Sequence, residues 1–210
     1  MDLILFGIQG SGKGTQGIFI AEKYGFEVFE TGAELRKLSR EDSELGRKVK
    51  EIIEAGNLVP NDVVMEIVEN FTNKIEPGKN VLFDGIPRKI EQKESLDALL
   101  NRLERPFAGI LIQISEEEAL RRLTTRRLCK TCKTVYPASY GSDTCECGGK
   151  LITRTDDNPE SIKTRLRAYA SETVPVIEKY KEEGKMIEVN GEQPIEKVTE
   201  EVFTFLDERL

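Results

Sequence analysis

Apolar positions follow two rhythms along this chain. Short apolar runs at residues 3–6 and 81–83, and a nearly continuous one at 107–114, have the length and continuity of strands buried on both faces. Shorter runs at 27–29 and 185–189 add two further strands. Between them apolar residues recur every three or four positions, predicting helices to Tyr24, from Thr31 to Gly56, over 61–71, from Lys89 to Leu103, after Ser115, from Asn158 to Glu183, and after Pro194. Gly25 stops the first helix. Thr31 with Glu34, and Ser115 with Glu118, have capping-box spacing, and Asn158-Pro159 suits a cap followed by a first helical turn. Strand–helix alternation implies an α/β fold, a parallel sheet flanked by helices. Two stretches interrupt it: helices without strands after Glu30, and a cysteine-bearing segment after Arg122.

The turn after the first strand changes the picture most. Gly7-Ile8-Gln9-Gly10-Ser11-Gly12-Lys13-Gly14-Thr15 leads from an apolar strand into a helix. Glycines allow positive φ and close approach of a ligand, and the helix start offers free N–H groups and a positive dipole end to phosphates. Lys13 adds a cation, and Thr15 a hydroxyl one residue later than the usual Gly-Lys-Ser/Thr order. The expectation is a nucleoside triphosphate site at Gly10, Ser11, Gly12, Lys13, Gly14 and Thr15.

Asp84 ends the apolar run at 81–83. An acid there orders Mg²⁺ and its waters beside a phosphate loop, or else caps the next turn. Arg121, Arg122, Arg126 and Arg127 on the helix after Ser115 form either a solvated basic face or a phosphate clamp. Cys129-x2-Cys132, twelve residues, then Cys145-x-Cys147-Gly148-Gly149 has the form of a small zinc ribbon, with Asp143 or Thr144 as substitute ligands should the short second knuckle be distorted. Four protein ligands would make that metal structural.

Composition narrows the class. The 210 residues carry a net charge of −7, which argues against a general nucleic-acid binder. No run reaches the ~18 apolar residues of a membrane span, and the N-terminus has no secretory pattern, so a cytoplasmic protein is expected. The chain has no His, which removes His acid–base chemistry, and its four Cys all fall within one segment. Three groups of cations (Lys13; Arg36 and Arg88; Arg122, Arg126, Arg154 and Arg165) exceed what one triphosphate needs and suit two facing nucleotides. Phosphoryl transfer between these requires positioning and charge neutralisation rather than a strong base. The insertions would then be lids that exclude water. A zinc-ribbon ATPase on nucleic acid and a catalytically dead nucleotide sensor are the competing classes.

Over essentially its whole length the sequence resembles adenylate kinases of the long, zinc-binding lid type. The resemblance implies a P-loop NTPase-like fold with a core at 1–29, 60–121 and 159–210, an NMP-binding insertion at 30–59 and a zinc-binding lid at 122–158. It implies reversible transfer from Mg·ATP to AMP giving two ADP, with a monomer as the default state. ATP would meet residues 10–15 together with Arg122, Arg126, Val135, Tyr136 and Gln193. AMP would meet Thr31, Arg36, Asn57, Leu58, Val59, Gly85, Ile86, Pro87, Arg88, Gln92, Arg154 and Arg165, with Gln92 reading the adenine. Lys13, Arg88, Arg126, Arg154 and Arg165 would be catalytic, Asp84 would hold Mg²⁺ through water, Asp156 and Asp157 would form the acidic pair, and Cys129, Cys132, Cys145 and Cys147 would bind zinc. Four positions depart from the family pattern: Gln9 for Pro, Ala33 for an acid, Ile86 for Phe, and Cys-x-Cys for Cys-x2-Cys.

Overall fold

The computed structural model describes residues 1–132, 134–137, 140–154 and 157–210. Five strands, β1 (Asp2–Phe6), β2 (Glu27–Glu30), β3 (Val81–Asp84), β4 (Phe107–Gln113) and β8 (Met186–Asn190), form a parallel sheet in the order β2-β3-β1-β4-β8. Alternation along each strand divides the core. Ile4, Phe6, Val81, Phe83 and Leu111 face one layer, and Leu3, Leu5, Leu82, Ile110 and Ile112 the other. Helices α1 (Lys13–Tyr24) and α9 (Ile195–Asp207) cover the second layer through Ile20, Val198, Val202 and Leu206. Helices α4 (Asn61–Thr72), α5 (Ile90–Arg102) and α8 (Val174–Glu182) cover the first through Val64, Val68, Leu96, Leu100, Val176 and Tyr180. Both faces are thus sealed, as the apolar runs require.

The chain leaves β1 toward one face and the adjacent β3 toward the other. Their carboxyl ends therefore open a crevice, the usual ligand position in doubly wound sheets. At the opposite end Asp2, 2 % exposed, accepts Val81 N–H at 2.8 Å and both Arg105 nitrogens at 2.6 and 2.7 Å, fixing the register of β1 against β3.

Several element boundaries differ from the periodicity. The helix expected from Thr31 to Gly56 is two helices, α2 (Thr31–Leu38) and α3 (Glu44–Glu54). The polar stretch between them carries no apolar face, and Ser43 starts the second by accepting Gly46 N–H at 2.9 Å. Thr31 is the first residue of α2 rather than its cap; that place falls to Glu30, which makes no side-chain cap bond. Helix α6 (Glu116–Thr125) ends before Arg126, which is its C-cap, while Arg127 begins strand β5 (Arg127–Cys129). Ser115 caps α6 at Glu118 N–H, but the return bond to the Ser115 amide comes from Glu192, because Glu118 is held by Arg121 and Arg122. The helix after Pro159 is α7 (Pro159–Ala168), a π segment (Tyr169–Thr173) and α8. Pro175 cannot donate to Ser171, and the ladder instead widens so that Val174 N–H reaches the Tyr169 carbonyl.

The cysteine segment folds on β5, β6 (Val135–Tyr136) and β7 (Leu151–Ile152), an antiparallel sheet in the order β6-β5-β7. Among the described residues no helix is long and apolar enough to cross a membrane.

Candidate functional site

The loop between β1 and α1 is shaped by its glycines. Gly7, Gly10 and Gly12 have φ of 146°, 89° and 100°. A Cβ at Gly7 would lie 2.5 Å from the Ile112 carbonyl, so the loop presses against β4. Helix α1 has no acid in its first turn, which leaves its positive end uncompensated and turned toward the crevice. Lys13 folds back and donates to the carbonyls of Gly7 at 2.6 Å and Ile8 at 3.2 Å. Burial pushes its ammonium down to about 8, with Asp84 opposing and Arg88, Arg165 and Arg126 adding to the shift. Groups from residue 13 to residue 165 thus act on one cation.

Asp84 and Arg88 flank the turn after β3. Burial raises the Asp84 carboxyl, and the Lys13 charge pulls it back. Burial lowers Arg88, opposed first by Asp84. The Arg88 guanidinium donates to the Gly85 carbonyl at 2.9 Å, and Gly85 adopts φ 86° with Thr31 beside it. The Gln92 side-chain oxygen accepts Arg88 N–H at 2.8 Å, so the carboxamide is oriented by the Arg88 backbone. Ile86 is buried in the main core, where it fills the place expected for Phe. Arg36 pairs with Glu30 at 2.8 Å across the start of α2, and its charge also reaches Asp84. Residues Asn57, Leu58 and Val59 follow α3 after Ala55 and Gly56; Val59 packs into the core, and the Glu54 carbonyl that ends α3 accepts from Ser161 at the start of α7.

Arginines on either side of the cysteine segment converge on one acid. Asp157, with a side chain wholly shielded from solvent, accepts Arg126 in a two-pronged pair at 2.6 and 2.7 Å and Arg165 at 3.1 Å. Its expected partner Asp156 lies outside the described residues. Arg154 is half-buried and its charge reaches Arg88. Arg122 donates to Glu118 and to the Gly191 carbonyl at 2.9 Å, beside Gly10 of the loop. Three further residues expected to meet ATP have other surroundings in the structure. Val135 is exposed, Tyr136 turns its hydroxyl to Cys145 Sγ at 3.1 Å, and Gln193 bonds Glu201 at 2.7 Å on α9.

The four Cys sulfurs lie within 4.8 Å of one another. Tetrahedral zinc with Zn–S of about 2.3 Å needs sulfurs roughly 3.8 Å apart, so the donor set fits the ion. Cys129 and Cys147 approach to 3.5 Å, and Cys132 and Cys145 to 3.4 Å. The short Cys-x-Cys spacing is accommodated by the glycines after it: Gly148 has φ 82°, and a Cβ at Gly149 would stand 2.6 Å from Cys129 Sγ. Asp143 is not needed as a ligand and pairs with Arg127 at 2.7 Å.

Three residues of the crevice were not singled out in the sequence. Glu30 ends β2 opposite Asp84, an acid at a strand tip whose signal equals that of Asp84. Tyr169 and Thr173 of the π segment line the crevice with Gln9, Lys13 and Arg88, and Thr173 donates to the Arg88 carbonyl at 3.1 Å. The sequence reads that stretch as one helix to Glu183, and Pro175 within it is the signal that could have marked them. Among the described residues, five buried side-chain oxygens lack a hydrogen-bond partner, and those of Gln9, Ser11 and Thr31 belong to this centre.

A family model described as adenylate kinase matches residues 5–185. The chain is 42% identical over 215 residues to the adenylate kinase of Kosmotoga olearia, covering 99% of each. It is 37% identical over 213 residues to that of Archaeoglobus fulgidus, covering 99% of this chain and 98% of the relative. The adenylate kinase of Staphylococcus aureus strain Mu50 is also 37% identical over 213 residues, with 99% of each chain covered. With a glycine-shaped phosphate loop, a strand-tip acid and converging arginines in one crevice, this chain belongs to the adenylate kinase family, enzymes that pass a phosphoryl group to a nucleoside monophosphate.

Proposed function

We propose that the enzyme transfers the γ-phosphoryl of Mg·ATP to AMP, giving two ADP, by in-line displacement between two bound nucleotides. The observation that carries this reading is the mutual influence of Lys13, Asp84, Arg88, Arg126 and Arg165 at one crevice. Six cations, Lys13, Arg36, Arg88, Arg126, Arg154 and Arg165, stand with three acids, Glu30, Asp84 and Asp157, and this excess of positive charge suits a triphosphate and a monophosphate meeting head to head. Lys13 leaves the carbonyls of Gly7 and Ile8 for the β- and γ-phosphates held by residues 10–15. Arg122 and Arg126 meet the donor from the lid side, with the segment carrying Val135 and Tyr136 and the loop at Gln193 at its base end.

On the acceptor side, Arg36, Arg88 and Thr31 take the AMP phosphate, residues 57–59 and 85–87 enclose the nucleoside, and Gln92 reads the adenine. Arg154 and Arg165 bridge the two nucleotides. Asp84 orders Mg²⁺ through water, which supplies charge neutralisation across the donor phosphates. The acceptor phosphate is already ionised, so no His is needed. In this reading residues 30–59 and 122–158 are bodies that close over the core to keep water from the donor. Zinc held by the four Cys makes the lid rigid without entering the chemistry. The clustered thiols suit a reducing cytoplasm, and one chain holds every group invoked, so a monomer suffices.

Coupled assays pairing each common triphosphate with AMP, CMP, UMP and GMP test the substrate assignment. Turnover is expected with ATP and AMP; failure with AMP while another monophosphate is used would overturn it.

A further inference from the structure

The carboxamide of Gln9 stands in the crevice without a role in the fold. Gln9 lines it together with Lys13, Gly85 and Arg88. Its Oε1 is shielded from solvent and accepts no hydrogen bond. A buried carbonyl left so destabilises the fold, and a bound state that satisfies the group offsets that penalty. The sequence offers a contrast: the Pro expected at this position could offer no side-chain hydrogen bond, whereas a carboxamide offers both a donor and an acceptor. Around it stand cationic donors, Lys13 and Arg88, and the ligands they suit are phosphate oxygens, which are acceptors.

We infer that Gln9 is a catalytic residue, its amide N–H donating to a non-bridging oxygen of the phosphoryl group in transfer while its Oε1 accepts from a neighbouring cationic side chain. The inference rests on the two-nucleotide reading above. In the step, the bond from the γ-phosphorus to the β,γ-bridging oxygen breaks with its electron pair remaining on the ADP that leaves. The bond to an oxygen of the AMP phosphate forms, and Gln9 neither gives up nor takes a proton. Its contribution is a neutral dipole aimed at equatorial charge, the kind of preorganised donor whose loss lowers turnover more than binding.

Steady-state kinetics on the full-length enzyme with ATP and AMP, for wild type, Gln9→Leu and Gln9→Glu, tests this together with thermal unfolding. Gln9→Leu is expected to lower kcat about 10- to 100-fold with both KM values within threefold, while its Tm stays level or rises because a buried unsatisfied polar group has gone. Gln9→Glu keeps the shape but turns a carboxylate toward the phosphates. Its kcat is expected to recover as pH falls and the carboxyl protonates, a limb that wild type lacks. Turnover of Gln9→Leu within twofold of wild type, or a drop in kcat accompanied by a fall in Tm, would overturn the inference and leave the reaction assignment standing. A wild-type enzyme inactive with ATP and AMP would overturn both.

Discussion

Lys13 carries a charge that its surroundings disfavour. Burial lowers its pKa from 10.5 to about 8, so between those values the unfolded chain binds the proton that the folded chain does not. Stability therefore rises with pH across that window, and below about 8 the cost of the buried ammonium is fully present. A triphosphate against Lys13 reverses the preference and raises its pKa. Binding of ATP near pH 8 is thus expected to take up a fraction of a proton, falling to none by pH 6, measurable by calorimetry in buffers of different ionisation enthalpy. Affinity should fall with rising pH above 8. Lys13→Met should abolish both effects and lower kcat by roughly 10²–10³-fold. Proton uptake unchanged in that variant would assign the titration elsewhere.

The other informative single residue is Asp157. It holds both Arg126 and Arg165 in a shielded position. Removing one partner of a buried pair costs about 3–5 kcal/mol because it strands the other charge. Asp157→Ala is therefore expected to lower the denaturation midpoint and, by releasing two arginines, to reduce kcat as well. Chemical denaturation and kinetics of the same variant check both parts.

At the scale of elements, the knuckle and the π segment each depend on one local feature. Gly149 is held to glycine by Cys129 Sγ and Thr131 Oγ1, each 2.6 Å from where a Cβ would stand. Gly149→Ala should spread the sulfur cluster and hasten loss of metal to a chelator, followed by release of zinc to a colorimetric indicator. Where sequence pattern reads one helix from Thr31 to Gly56, the structure has two, and the same holds after Pro159. Periodicity reports which face is apolar, not whether the hydrogen-bond ladder is continuous. The break at Ser43 and the widening before Pro175 are decided by one cap and one missing N–H. Strands were easier to read, since β1, β3 and β4 are buried on both faces and carry apolar residues at nearly every position.

Across the whole molecule, the crevice follows from topology: β1 and β3 are neighbours, and their connections leave toward opposite faces. The phosphate loop and Asp84 were legible because motif and strand tip coincide. Glu30, Thr173 and the pairing of Asp157 with two arginines were not, since they depend on which elements meet in space. The lid should be separable from the chemistry. Stripping metal with a chelator is expected to lower Tm and raise nucleotide KM values while leaving measurable turnover; complete loss of activity with the core still folded would give the ion a closer part in the reaction.

The most direct measurement follows the phosphorus itself. With γ-labelled ATP and unlabelled AMP, the label is expected in the β-position of ADP, with two ADP formed for each ATP consumed and no label in inorganic phosphate. Label released as phosphate, or ADP formed one for one with ATP whether or not AMP is present, would contradict transfer between two bound nucleotides.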